Sequence, residues 1–299
     1  MSTHGSKKVI LAALTGNLAI ALVKTVAAFL TGSAALMAEA VHSAADTGNQ
    51  LLLIVGIRLS KRSADASHSF GYGMELYFWP FVVALTMFSL GAIFSVVEGV
   101  RKLFHPELPR SYLSGYIVLV FSVAFEAFSL KVAWDEFSLI RNGKGFFASA
   151  RATRDPTVFV VLFEDIAALL GLLIAIAGLS LTQLTQRPVF DAAASIAIGV
   201  LLGAVAIFLG YETRSLLIGE SAAPEEVLEI RRLAAGISGF GPFTELRTLH
   251  RAPGEIVVEA AVRFDDAMTM GQVRRVIDEF EAALHAANPK ITHITVEPS

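Results

Sequence analysis

The chain has 299 residues, of which 54% are hydrophobic and 17% are charged, and its formal net charge is −3. Soluble domains hold roughly 25% charged residues, so the composition argues against a wholly soluble protein, and the negative balance predicts no nucleic-acid partner. The sequence contains no cysteine, which excludes disulfides and thiolate metal ligands. Any metal site must therefore use His, Asp, Glu, Asn or backbone oxygen.

Six apolar segments of membrane-spanning length fill the first two-thirds of the chain. A hydrocarbon core about 30 Å thick needs roughly 20 helical residues. The first segment is too long for the apolar core of a signal peptide, so we expect it to be a retained helix. We predict transmembrane helices over residues 9–31, 34–59, 76–104, 112–140, 156–181 and 189–217.

Lys and Arg are distributed unequally between the two sets of loops. One set holds Lys7, Lys8, Arg58, Lys61, Arg62, Arg141, Lys144, Arg151 and Arg154. The opposite set holds only Arg101, Lys102, Arg110 and Arg187. Because positive residues accumulate on the cytoplasmic side, we expect an integral multi-pass protein with both termini in the cytoplasm.

The character of the sequence changes after Gly219. Pro224 and two acidic residues mark a helix start, and two strand-like stretches follow at 243–251 and 255–264. A helix over 268–287 and a strand over 291–297 complete an αββαβ order. We therefore predict a six-helix transmembrane domain over 1–218 and a small, ferredoxin-like α+β domain over 219–299 on the cytoplasmic side. A domain this small has little core, so dimerisation would stabilise it.

The second predicted span carries polar residues on one face. His42 and Asp46 are four residues apart, which places them one turn apart on the same side of a helix, and Asn49 follows on nearly the same face. Ionisable groups inside a membrane are costly and mark functional sites. An imidazole, a carboxylate and an amide on one stripe suit metal coordination. The alternative is a His–Asp hydrogen bond that only holds helices together.

Further ionisable residues lie in the fifth and first spans. Glu164 and Asp165 are adjacent, so one carboxylate can face His42 and Asp46 while the other points about 100° away. A protonated acid bonded to a neighbouring helix is the alternative. Lys24 in the first span could neutralise Glu39 or Glu164, or its ammonium could reach the membrane surface.

Other charged residues gave weaker signals. Glu126 and Lys131 in the fourth span are five apart, a spacing that does not predict an ion pair. Glu98 and Asp191 fall near span ends, where we expect them to be solvated. In the loop after the second span, Asp65 and His68 are three apart and could assist metal binding, although a solvated turn also explains them.

Together these features resemble the cation diffusion facilitator family of metal/proton antiporters, over nearly the whole chain. The branch indicated by adjacent Glu and Asp in the fifth span includes mitochondrial members. The matching segments are His42-Ser43-Ala44-Ala45-Asp46, residues 65–73, Asp165, residues 191–196, Leu216-Leu217-Ile218-Gly219-Glu220 and Leu246-Arg247-Thr248.

The resemblance implies a tetrahedral transport site with two ligands from span 2 and two from span 5. It assigns His42, Asp46 and Asp165 as ligands, and the fourth family position falls on Val161, which cannot coordinate. Glu164 is the nearest substitute, and Asn49 or a water are the other options. A second loop His of the family is replaced by Tyr72.

The implied function is efflux of a divalent metal cation, with Zn²⁺ preferred and Co²⁺, Fe²⁺ or Mn²⁺ as alternatives, in exchange for protons. Such a carrier is not an enzyme, needs no resident cofactor, sits in membrane lipid and is expected to form a homodimer. The alternatives are a channel and a non-transporting membrane scaffold or metal sensor with a degenerate site. The missing fourth ligand supports the scaffold.

Overall fold

The structure, a computed structural model, describes residues 2–109, 111–140 and 155–299. It forms two compact units, one ending at Arg214 and the other containing Ser215–Ser299. Several of the loop charges used to predict orientation lie outside the described residues. They are Arg110, Arg141, Lys144, Arg151 and Arg154, together with the side chains of Lys7 and Lys8.

The first unit is built from long helices. They are α1 (Ser2–Thr31), α2 (Ala34–Leu59), α3 (Glu75–Thr86), α4 (Phe94–Phe104), α5 (Tyr112–Ile140), α6 (Pro156–Thr185) and α7 (Val189–Ile218). A π-helical segment, Met87–Ile93, joins α3 to α4, so these three pieces form one continuous span. The bounds agree closely with the six predicted segments.

Five of the spans in the described residues are long and apolar enough to cross a membrane, and α2 is the sixth long helix. The helix α2 is less apolar because it carries the stripe that begins at Glu39 and includes His42 and Asp46. The predicted fold, six long helices followed by a small α+β domain, is confirmed.

A buried polar cluster fixes one end of the helical unit. Lys102 at the end of α4 places its Nζ 3.1 Å from Asp191 Oδ2 at the start of α7, and it donates to the carbonyl of Gly32 at 2.7 Å. Ser33, the N-cap of α2, donates to Asp191 Oδ1 at 2.7 Å. Asp191 is fully buried, so the expectation that it is solvated is wrong. The cluster instead ties the α1–α2 turn to α4 and α7.

Glycines of α7 allow its backbone to lie in contact with the backbone of the third span. A Cβ on Gly199 would lie 2.6 Å from Val96 Cγ2 and 2.8 Å from the carbonyl oxygen of Ala92. Such a contact cannot form without displacing backbone. One turn later, a Cβ on Gly203 would meet Ala92 Cβ at 3.6 Å, an ordinary contact. Small residues at helix crossings provide this close packing inside membranes.

The second unit contains α8 (Pro224–Ala235), β1 (Phe243–Ala252), β2 (Glu255–Val262), α9 (Met270–Ala287) and β3 (Ile291–Pro298). The central strand β2 pairs antiparallel with β1 and parallel with β3. Both helices contribute to one apolar core with the sheet, and Phe280 is its largest fully buried side chain. The predicted αββαβ order is confirmed.

The two glycines of α7 make a matched test of helix packing. We expect Gly199→Ala to lower the stability of the detergent-solubilised protein by about 1–3 kcal/mol, because its methyl group overpacks the contact with the third span. Gly203→Ala should leave thermal unfolding unchanged or slightly raise the unfolding temperature, since Ala favours helix. Equal unfolding temperatures for the two variants would contradict this packing.

Candidate metal site

The polar residues of α2 form one buried stripe along the helix. Ser33 caps the helix by accepting from the Leu36 N–H, and the stripe begins two turns into it. All of its members are almost completely buried: Glu39, His42, Ser43, Asp46, Asn49 and Gln50. Because their spacing follows the helical period, every one of them faces the interior of the unit rather than lipid.

His42 and Asp46 lie side by side on this stripe. The distance from His42 Nδ1 to Asp46 Oδ1 is 3.5 Å. Within the described residues, neither ring nitrogen of His42 has a hydrogen-bond partner, and Asp46 Oδ1 has none. Buried polar atoms without partners are rare and cost free energy. The pair therefore does not hold helices together by a hydrogen bond, and its lone pairs are available to a ligand.

The third span passes beside His42. A Cβ on Gly91, in the π-helical segment, would lie 4.0 Å from His42 Nδ1, so this segment passes next to the imidazole. Single π turns inside α-helices occur frequently at functional sites. Nothing in the sequence predicts this irregularity, because Met87–Ile93 continues the mainly apolar pattern of the third span.

The acids of α6 face different neighbours. Glu164 accepts from Asn49 Nδ2 at 2.8 Å and from Gln50 Nε2 at 3.5 Å, so it faces α2. Asp165 accepts from Ser129 Oγ of α5 at 2.9 Å. Both acids are buried, and both lie within electrostatic range of Asp46. The two carboxylates diverge as adjacent helical residues must.

These groups are neighbours without forming a closed coordination shell. Among the described residues, no three His, Asp or Glu side chains converge closely enough to hold a metal ion. Glu164 and Asp165 are each occupied by amide or hydroxyl donors. Coordination by His42, Asp46 and either acid of α6 therefore requires these side chains to move closer together than they lie in this structure.

Val161 lies on α6 one turn before Asp165. It is fully buried within the apolar core of the helical unit, so its position contributes no donor atom.

The comparison with known protein families decides the membership of the chain. The family model described as the cation efflux transmembrane domain matches residues 10–218. The chain belongs to the cation efflux family. A second model, described as the cytoplasmic domain of cation efflux proteins, matches residues 222–298. The predicted family is confirmed, and it is a family of transporters rather than enzymes.

Curated members of the cation efflux family align along most of the chain. A mitochondrial proton-coupled zinc antiporter of Xenopus laevis is 30% identical, over 99% of this chain and 60% of that protein. The Homo sapiens protein of the same description is 34% identical, over 87% of this chain and 46% of that protein. The cation-efflux pump FieF of Pectobacterium atrosepticum is 25% identical, over 97% and 92%. The chain thus spans about half the length of the zinc antiporters it matches.

Lys24 is the cation beside the candidate site of this cation efflux protein. Its Nζ lies 3.0 Å from Glu39 Oε2 and donates to Ser43 Oγ at 2.8 Å. Lys24 and Glu39 are both fully buried, so the ammonium does not reach the membrane surface. A Cβ on Gly171 of α6 would lie only 2.6 Å from Glu39 Oε1. The ion pair is therefore enclosed by α1, α2 and α6.

Glu126 of α5 is a buried acid to which the sequence pattern assigned no role. Its side chain is 1% exposed, whereas Lys131, five residues later, is exposed. The available signal was the helical period, because Ser122, Glu126 and Ser129 recur at intervals of four and three residues and are all buried.

The loop after α2 is organised by Asp65. Its Oδ1 accepts from Ser67 N, Ser67 Oγ and His68 N, and its Oδ2 accepts from Tyr72 OH at 2.7 Å. Arg62 stacks over the Tyr72 ring. Hydrogen bonds from Ser67 and Tyr72 hold the pKa of the Asp65 carboxyl well below its usual range. His68 Nδ1 lies 3.8 Å from Asp65 Oδ1, and both side chains are exposed, an arrangement typical of a solvated turn.

The Lys24–Glu39 pair gives a stability prediction. Lys24→Met leaves a buried carboxylate without its partner, and breaking a buried pair in this way costs about 3–5 kcal/mol. We expect this variant to unfold at a markedly lower temperature in detergent. The double variant Lys24→Met/Glu39→Gln should recover most of the loss because no unpaired charge remains. A double variant no more stable than Lys24→Met would contradict the pairing.

The hydrogen bonds of Asp65 in the loop after α2 predict a pattern of amide hydrogen exchange. Asp65→Ala should remove the protection of the amides of Ser67 and His68, and Ser67→Ala should reduce it less because the backbone donors remain. In the native chain the hydrogen bonds to the carboxylate persist at neutral pH and disappear only as the pH falls through the lowered pKa of Asp65. Protection should therefore survive below about pH 3.9, where an ordinary Asp becomes protonated. Loss of protection near pH 5 would contradict this account.

Proposed function

We propose that this cation efflux protein moves a divalent metal cation, preferentially Zn²⁺, out of the cytoplasm in exchange for protons. The observation that carries the proposal is the buried pair His42 and Asp46, whose ring nitrogens and Oδ1 have no hydrogen-bond partner in the described residues. A site that binds a cargo only transiently needs donor atoms that are already desolvated and not committed to the protein. The family membership supports transport as the use of this site.

The donor set favours a borderline metal. We propose His42, Asp46 and Asp165 as ligands with Glu164 as the fourth, which gives one nitrogen and three carboxylate groups. Imidazole with carboxylates suits Zn²⁺ and also Co²⁺ or Fe²⁺, while Mn²⁺ prefers oxygen donors throughout. The zinc antiporters among the relatives support Zn²⁺ as the first choice.

Protons and metal compete for the same atoms of this site. Metal binding requires a neutral imidazole and ionised carboxylates, so it releases protons, and protonation releases the metal. The acids Glu164 and Asp165 keep donors from Asn49 and Ser129 when they are not bound to metal. Those donors, and Lys24 on Glu39, limit the cost of carrying acidic groups in the bundle between transport events.

The domain boundaries, the orientation in the membrane and the oligomeric state are also part of this proposal. We place the transmembrane domain at 1–218 and the α+β domain at 219–299, with both termini in the cytoplasm. The match to the cytoplasmic domain of cation efflux proteins supports that location, and its small core supports a homodimer in membrane lipid. Asp65 and His68 are assigned to the solvated turn rather than to the transport site.

Reconstitution into liposomes tests the proposal. We expect zinc uptake into proteoliposomes to accelerate when the lumen is more acidic than the medium and to fall when an ionophore collapses that gradient. Asp46→Ala should lower the initial rate at least about 10-fold. Even mutation of residues that merely hydrogen-bond to a metal ligand weakens metal binding by about 10- to 100-fold, and loss of a ligand should weaken it at least as much. Asp135→Ala, an exposed carboxylate on α5, is the matched control and should transport normally.

The outcomes separate the three classes of function. Zinc uptake that does not depend on the pH gradient and runs only down the zinc gradient indicates a channel. Zinc binding without any uptake indicates a scaffold or sensor, which the absence of a closed shell among the described ligands would then explain. Normal transport by Asp46→Ala would refute the site assignment.

A further inference from the structure

Glu126 is a buried acid that the proposed ligand set does not use. It lies in the middle of α5, between the buried residues Ser122 and Ser129, and is 1% exposed. Within the described residues its Oε1 is buried and has no hydrogen-bond partner. A carboxyl oxygen without water or a donor is costly in the middle of an apolar helix. Helix packing alone gives no reason to place one there.

Glu126 lies within electrostatic range of the acids of the candidate metal site. It interacts electrostatically with Asp46 and Glu39 of α2 and with both Glu164 and Asp165 of α6. Lys24 also interacts with Glu126, but the ammonium already bonds Glu39 and Ser43. Within the described residues no Lys, Arg or His side chain forms an ion pair with Glu126.

Glu126 differs from the two acids of α6 in its hydrogen bonding. Both oxygens of Glu164 accept from the side-chain amides of Asn49 and Gln50, and Asp165 accepts from the hydroxyl of Ser129. A metal bound through Glu164 must share or displace the donors on both of its oxygens, and one bound through Asp165 Oδ2 must do the same with Ser129. Glu126 Oε1 gives up none. Its long side chain also gives its carboxylate more reach than Asp has.

We propose that Glu126 is a metal ligand of the transport site and supplies, from α5, the donor that Val161 cannot supply from α6. The site then draws on three helices, with His42 and Asp46 on α2, Asp165 on α6 and Glu126 on α5. In this set Glu126 takes the fourth place instead of Glu164, whose oxygens keep their bonds to Asn49 and Gln50. Ser129 lies one turn from Glu126 and donates to Asp165, which places this part of α5 against α6. This inference rests on the proposed function, since it reassigns one ligand of the same site.

Zinc binding to the purified full-length protein tests the assignment. Zinc affinity is measured in detergent at neutral pH by competition with a chromophoric chelator, and the site is defined as the binding lost in Asp46→Ala. We expect Glu126→Gln, which keeps the shape but removes the charge, to weaken this binding at least about 10-fold. Asp135→Asn, the same change on an exposed residue of α5, should stay within about twofold of the unmodified protein. Unchanged elution on size exclusion confirms that each variant is folded.

A second variant separates coordination from bulk charge. Glu126→Asp keeps the charge but withdraws the carboxylate by one methylene, so a ligand loses zinc affinity while a mere counter-charge does not. Glu126→Asp and Glu126→Gln both within twofold of Asp135→Asn would overturn the proposal, even if pH-driven transport by Glu126→Gln were lost. No zinc binding by the unmodified protein would remove the proposed function itself, and the inference with it.

Discussion

The cost of placing ionisable side chains inside an apolar helical bundle governs this molecule. Water cannot reach the stripe on α2 or the acids of α5 and α6, so each charge needs a partner from another helix or a cargo. The structure provides the ammonium of Lys24 for Glu39, amides of α2 for Glu164 and the hydroxyl of Ser129 for Asp165. Among the described residues, both ring nitrogens of His42 and Oδ1 of Asp46 have no hydrogen-bond partner, and single side-chain oxygens of Glu39, Asn49, Gln50 and Glu126 also have none. That imbalance locates the candidate site.

The same constraint explains the shape of the bundle around the stripe. Polar groups can satisfy one another only if their helices come close, and small residues at the crossings allow this. Gly171 leaves room for the Glu39 carboxylate, and Gly199 allows close contact between α7 and the third span. At one end the Lys102–Asp191 pair and Ser33 fasten the α1–α2 turn. Packing and charge compensation are therefore parts of one arrangement.

The partners of the acids also suit a carrier better than a permanent metal site. Amide and hydroxyl donors stabilise a carboxylate by modest amounts, so a divalent cation can displace them and they can return when it leaves. The separation of the donor groups in the described structure is consistent with binding that assembles around the ion.

The sequence by itself determined the elements: six apolar segments, the αββαβ tail and the positions of His42, Asp46, Glu164 and Asp165. Hydropathy and helical period are local properties, and the membrane enforces them strongly. The sequence could not decide which groups meet, because that depends on how helices cross. From the sequence, Asp191 was expected to be solvated, Glu126 was assigned no role and Lys24 had two possible partners. Only the tertiary structure brought α1, α2, α5 and α6 together, and it gathered polar residues that are far apart in sequence into one buried cluster.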